Sequence, residues 1–379
     1  MNAPPRPAPD PGPAAFPEPP PERRALLAGR VLLALCLGAA GGAVASRFNL
    51  PLAWMIGAMV VTTVASAGGL PLTVPAWLRS AMIAVLGVML GSAFSPDLPG
   101  EVARWLPSLA ALPLYGVLTA ALLWLYFRRI AGYDPVTAWF SGVPGGLSEM
   151  VVVGSAEGGD ERTISLIHAS RVLLVVSTLP LWFIFTEGYV RQDPVAATEG
   201  LLDIPAPDLL LLAACIPVGM AGARLLRIPA ARLTGPMILS AAVHLAGLTA
   251  WAPPGELVAI AQVVVGSAIG ARFAGIGFRR ILHTLVAASG ATILMLLVTV
   301  AFAVALGALT GLPAPLLLLA FAPGGLAEMS LIALALGVDA AFVSTHHILR
   351  IGLLVILGPL LFRAIRPWLT GAPRPSKNR

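Results

Sequence analysis

Charge is what this sequence has least of: Asp, Glu, Lys and Arg make up 11% of 379 residues, while 58% are hydrophobic and the mean hydropathy is +0.88. About a quarter of a soluble domain is charged, so a soluble fold is excluded and the chain reads as a polytopic membrane protein with the lipid bilayer as its first partner. Lysine is almost missing, with Lys377 alone, and the remaining basic residues are arginines, a usage that fits a GC-rich bacterial genome. The net charge of +6 and the pI near 10.1 are therefore no nucleic-acid footprint, because the arginines sit in short loops between apolar spans and orient the chain there. No nucleic-acid partner is expected.

Metal and redox ligands are scarce too. Two cysteines, Cys36 and Cys215, and five scattered histidines supply no plausible ligand cluster, so the cysteines read as small buried residues and no metal or other cofactor is expected. Neither a Walker lysine nor a G-x-S-x-G elbow is present, which leaves no catalytic apparatus and no enzyme. The first 21 residues hold ten prolines and no apolar run. Residues 1–24 thus read as a disordered tail without a cleaved signal peptide.

What the chain does have is repetition. Pro144 to Met150 read PGGLSEM and Pro323 to Met329 read PGGLAEM, an offset of 179 residues that also carries His168 onto His347, Arg171 onto Arg350, and Gly87 and Gly91 onto Gly266 and Gly270. Upstream, Pro51, Gly57 and Met59 map onto Pro229, Gly235 and Met237 at 178, so one residue has been gained in the second copy. Such nearly gapless register means one design duplicated. It divides the chain into a first membrane repeat over 25–186, an acidic linker over 187–207, a second repeat over 208–366 and a basic tail over 367–379.

Helical spans need about 20 apolar residues, which predicts segments at 30–46, 50–69, 77–95, 106–127, 135–155 and 163–186. The second half repeats them at 208–226, 233–249, 256–273, 281–307, 313–336 and 339–362. If all crossed, Arg224, Arg227, Arg232, Arg279 and Arg280 would fall outside, against the positive-inside rule. If the PGG segments 135–155 and 313–336 do not cross, the arginine-rich loops all fall inside, and each half has five crossings. The fold class expected is thus all-α, with two homologous halves as inverted repeats of five crossings plus one broken or re-entrant PGG segment each. That makes 10–12 membrane segments, with both termini cytoplasmic. Inverted repeats with interrupted segments at matching positions are a signature of secondary transporters.

Proline removes a backbone donor and glycine loosens the helix, so PGG frees backbone polar groups at membrane depth, where only protein or a watery cavity can satisfy them. Pro144, Gly145, Gly146 and Glu149, with Pro323, Gly324, Gly325 and Glu328, are therefore candidates for a central solute or ion site. Two readings of the glutamates stand: a pair that binds a cation or carries a proton, or caps for the resuming helices. Spacing i, i+3 places His168 with Arg171, and His347 with Arg350, on one helix face. There they pair the carboxylates, attract an anion, or snorkel to the interface. Gly87, Gly91, Gly266 and Gly270 have the small-xxx-small spacing of close helix packing.

Duplicated halves with PGGLSEM and PGGLAEM, each followed after about 18 residues by H-x-x-R, resemble the bacterial AbrB-type integral membrane family over residues 25–368. That family carries labels of ammonia monooxygenase and of transition-state regulator, and is distantly similar to cation–proton antiporter and anion transporter folds. The oxygenase label conflicts with the missing ligand cluster, and a DNA-binding role with the lack of a soluble domain between the spans. Ser148 against Ala327 is the one departure between the copies, and it bears only on a role needing a hydroxyl in both. The expectation is a transporter-like permease of the bacterial inner membrane that moves a small solute or ion through a site at the repeat interface. The alternative is a membrane-embedded regulatory component that affects gene expression without transport. Cations, anions and zwitterions all fit, as does a homo-oligomer.

Overall fold

The computed structural model describes residues 21–48, 50–94, 102–187 and 200–370. Among them the regular structure is entirely helical, and seven helices are long and apolar enough to cross a membrane. The first half runs α1 (Pro21–Arg47), α2 (Ala53–Ala67), α3 (Ala76–Gly91), α4 (Val102–Arg129), α5 (Pro135–Gly142), α6 (Leu147–Ala156) and α7 (Glu161–Glu187). The second runs α8 (Ala206–Leu225), α9 (Ala231–Leu245), α10 (Gly255–Gly270) with a 3-10 turn at Ala271–Phe273, α11 (Phe278–Thr310), α12 (Ala314–Phe321), α13 (Leu326–Ala335) and α14 (Ala340–Thr370). Helices α1 and α14 thus reach into the stretches read as tails, and most of the acidic linker lies outside the described residues. Cys215 is buried as expected, whereas Cys36 is exposed on α1.

Both PGG segments are broken. Helices α5 and α12 have 8 residues each and α6 and α13 have 10, so at about 1.5 Å per residue none reaches across a hydrocarbon core of about 30 Å. Asp134 starts α5 by accepting from the amides of Val136 and Thr137 at 3.0 and 2.9 Å, with Pro135 at the first helical position, where its missing N–H costs nothing. The proline and glycines that follow end the helix, and α6 resumes from Gly146. The Asp160 amide then donates to Thr137 Oγ1 at 2.8 Å. The chain leaves the hairpin at the level where it entered.

Charged contacts gather the loops at that same end. Arg280 pairs with Asp160, and Arg363 and Arg366 reach Glu157 at 3.1 and 3.2 Å. Asp160 lies in the loop before α7. Partial burial pushes its carboxyl up, but the Thr163 hydroxyl and amide, Arg280 and the Arg162 amide outweigh it and hold the group below the usual carboxylate range.

The halves interleave. Helix α1 packs on α2 as α8 packs on α9, while α2 lies on α10 and α9 on α3. The glycines explain how closely. A Cβ on Gly57 would meet the Gly41 carbonyl and one on Gly235 the Gly219 carbonyl, so both crossings bring backbone onto backbone. Gly87 and Gly91 face the carbonyls of Leu233 and Met237 on α9, where a Cβ on either would lie 2.5 Å from the oxygen and clash. Gly266 and Gly270 do the same against Met55, Met59 and Thr62 of α2. Leu52 and Ala230, the matching N-caps of α2 and α9, both adopt φ 52°. That left-handed conformation is strained for a residue with a Cβ, by about 1–3 kcal/mol, and it recurs at the same place in each half.

Candidate functional site

The two breaks meet. Pro144, Gly145, Gly146 and Glu149 from the first hairpin line one cavity of about 500 Å³ with Gly324, Gly325 and Glu328 from the second. Arg171 of α7 and Arg350 of α14 line it too. Pro323, His168 and His347 do not. The volume falls in the range of small-molecule sites.

Each glutamate is the third residue of its helix and folds back over the glycine that starts it. A Cβ on Gly146 or Gly325 would collide with the carboxylate of Glu149 or Glu328. This is cap geometry, with the acid at the positive end of the helix dipole, and the same two side chains form the cavity wall. Capping and facing the site are here one arrangement rather than alternatives.

The histidine–arginine pairs do not snorkel: His168 and His347 are 0% exposed, Arg171 is 6% and Arg350 2%. Nor, among the described residues, does either arginine form an ion pair with a glutamate. His168 Nε2 donates to the Phe140 carbonyl at 2.8 Å and His347 Nε2 to the Leu319 carbonyl at 2.9 Å, the same bond in each half. Each histidine thus holds the C-terminal end of its own half-helix, whose last carbonyls lack intrahelical partners. With Nε2 carrying the proton, Nδ1 is left as an acceptor.

Here the halves part. Arg350 Nη1 donates to the carbonyls of Phe321 and Ala322 at 3.2 and 2.7 Å. Its Nη2 donates to the Gly324 carbonyl at 3.0 Å and to His347 Nδ1 at 2.9 Å. One guanidinium thus takes up the carbonyls that the break in the second hairpin exposes. Among the described residues Arg171 makes no hydrogen bond: its buried Nε and Nη1 and the His168 Nδ1 beside it lack partners, whereas in the second pair only the Arg350 Nε does.

The sequence did not single out four further residues of the wall. Arg79, Arg224, Arg232 and Arg272 line the same cavity, having been read only as loop charges that set topology. Arg272 Nη1 donates to Ser165 Oγ at 2.9 Å, and Arg79 lies within Coulombic reach of both glutamates. The signal was available: Arg79, Arg224 and Arg232 lie in the end turns of α3, α8 and α9 and Arg272 in the turn after α10, the helices that the repeated glycines tie together. Beyond the second break, Tyr115 donates to or accepts from Thr299 at 3.0 Å and meets Phe302 and Phe321 edge to face at 5.3 and 5.2 Å. His346 bonds Ser108 Oγ at 2.9 Å and stacks near Phe342.

Fold and site together define a duplicated, all-helical polytopic membrane protein whose two interrupted hairpins converge on one polar cavity. The chain belongs to the AbrB family, whose description reads "Transition state regulatory protein AbrB" and which matches residues 54–366. It is similar to "Uncharacterized protein YhjN" of Bacillus subtilis (strain 168), with 27% identity over 362 residues, 87% of this chain and 92% of that one. It is also similar to "Putative regulator AbrB" of Escherichia coli (strain K12), 27% identical over 335 residues, 86% of this chain and 93% of that one.

Proposed function

We propose that this protein is a secondary-transporter-like permease of the bacterial inner membrane, which moves a small solute or ion through the cavity between its two halves without covalent chemistry. One observation carries the reading: two hairpins, one from each half, bring their glycine breaks and carboxylates to a single cavity of about 500 Å³. Irregular backbone at membrane depth is a feature of transporter binding sites, with helix ends aimed at the substrate. Flux in proteoliposomes tests it. Glu149→Gln and Glu328→Gln are expected to lower solute-dependent flux at least tenfold each while the protein stays folded, because each loses the charge at the cavity wall. Full flux in both variants would remove the glutamates from the mechanism, and no flux of any solute in the native protein would remove the permease.

The hairpins support a re-entrant segment in each half and hence inverted repeats of five crossings. A crossing 313–336 segment would put Glu157 and Arg363 on opposite faces, but these side chains are paired; for 135–155 the support is the Asp160 amide on Thr137 Oγ1, which brings the two ends of that segment together. With the arginine-rich face cytoplasmic, the cavity opens inward past the exposed Arg224 and Arg232, and Tyr115, Phe302 and Phe321 form the outer seal. In a protein with Cys36 and Cys215 replaced, Arg162→Cys on intact cells is expected to resist an impermeant thiol reagent and Asp339→Cys to react. Equal labelling of both would mean parallel halves.

A further inference from the structure

The substrate's charge is the open question of the site, and resting on the permease reading, the two unlike arginines bear on it. Their sequence surroundings match, each three residues after a histidine that holds a half-helix carbonyl. Yet Arg350 is consumed by three carbonyls and His347, and Arg171 by nothing. A guanidinium that is 94% buried with its Nε and Nη1 unmatched is costly, the more so beside a histidine nitrogen that is also unmatched. Such a group persists where a ligand completes it, and it lines the cavity.

The rest of the wall agrees in sign. Six arginines face two glutamates around the cavity, and the glutamates already lie over the helix ends they cap. A cation entering would pass Arg224 and Arg232 at the mouth and then meet Arg79, Arg272, Arg171 and Arg350. An anion is drawn in by the same field. Between the charges the wall is aliphatic, from Ile83, Val172, Leu233, Val265, Ile269 and Ile351, which gives an apolar body a place to rest.

We infer that the cavity takes a small organic anion, with its carboxylate or sulfonate head on Arg171 and its apolar body against the aliphatic wall. Arg350 has a different part: it holds the second break in shape and does not bind the solute. The forked donor geometry of guanidinium suits a two-oxygen head group, which sets this site apart from one that holds only a point charge.

The test uses the full chain in nanodiscs with four probes of one body: butyrate, butanesulfonate, butan-1-ol and butylammonium. Saturable binding is expected for the two anions only, weakening as salt rises. Arg171→Gln is expected to weaken it at least tenfold, since a charge-assisted fork is lost. Arg171→Lys, which keeps the charge and loses the fork, should fall between the two. Because Arg171 has no partner to lose, both variants should unfold thermally no earlier than the native protein without probe, which keeps loss of binding distinct from loss of fold. Saturation by butylammonium, equal binding of the alcohol, absence of anion binding, or anion binding unchanged in Arg171→Gln would each overturn the assignment. Butanesulfonate keeps its charge and does not cross lipid unaided, so its counterflow into proteoliposomes separates the two claims. Binding without counterflow would uphold the anion site and count against the permease, whereas flux of butylammonium alone would uphold the permease and overturn the anion.

Discussion

Replacing Arg350 by methionine is expected to destabilise the protein by about 3 kcal/mol or more, whereas the same change at Arg171 should be neutral within about 1 kcal/mol or stabilising. The two residues are equivalent in the repeat and almost equally buried, so burial alone predicts equal effects. Their partners decide. Removing Arg350 leaves the carbonyls of Ala322 and Gly324 and the His347 ring nitrogen without donors, and the Phe321 carbonyl with only the Thr299 hydroxyl at 3.5 Å, and each buried group left unsatisfied costs about 1–3 kcal/mol. Removing Arg171 strands nothing and takes an unmatched charge out of the interior. Thermal unfolding of both variants in detergent, without added solute, measures the difference. Equal losses, or a larger loss at Arg171, would mean that the halves are held alike and would undo the division of labour between the two arginines.

The second large effect is expected at a helix crossing. Gly235→Ala should cost about 3 kcal/mol, at or above the upper range for overpacking, because the added methyl meets the Gly219 carbonyl, and backbone cannot swing aside as the end of a side chain can. Gly222→Ala is the control. It lies on the same α8 as Gly219 but has nothing within 4 Å of its would-be Cβ, so alanine's better helix propensity should make it harmless or slightly favourable. Folded yield and unfolding temperature of the two variants give the comparison. If Gly235→Ala matches Gly222→Ala, the close approach of α8 and α9 does not contribute to stability.

Much of this was legible in the sequence because proline and glycine state their backbone consequences outright. The PGG runs mark both breaks to the residue, and the paired glycines mark both close crossings. The glutamates at the cavity wall followed from the same runs. What stayed hidden depends on partners that a repeat cannot reveal. H-x-x-R reads the same in both halves, yet one guanidinium is clamped and the other free, a difference set by whether the neighbouring carbonyls turn toward it. Arg79 and Arg272 read as topology charges because loop arginines usually are, and only the packing of α3 and α10 brings them to the wall. Leu52 and Ala230 gave no sign of a left-handed backbone, since that conformation normally selects glycine or asparagine. The extents of α1 and α14 were missed because a proline-rich start and a basic end look like tails, although proline is well tolerated in a first turn.

The interleaving of the halves has a consequence in time. Among the described residues the glycine face of α3 is covered by α9, and the glycines of α10 pack on α2. When the ribosome has finished residue 187, the first half is complete as a sequence and incomplete as a structure. Helices α2 and α3 lack these partners until residues 231–270 have been made. The duplication therefore did not yield two modules that fold one after the other. Each copy serves as the other's missing surface, and a chain cut at the linker should gain its native packing only when both pieces are made in the same membrane.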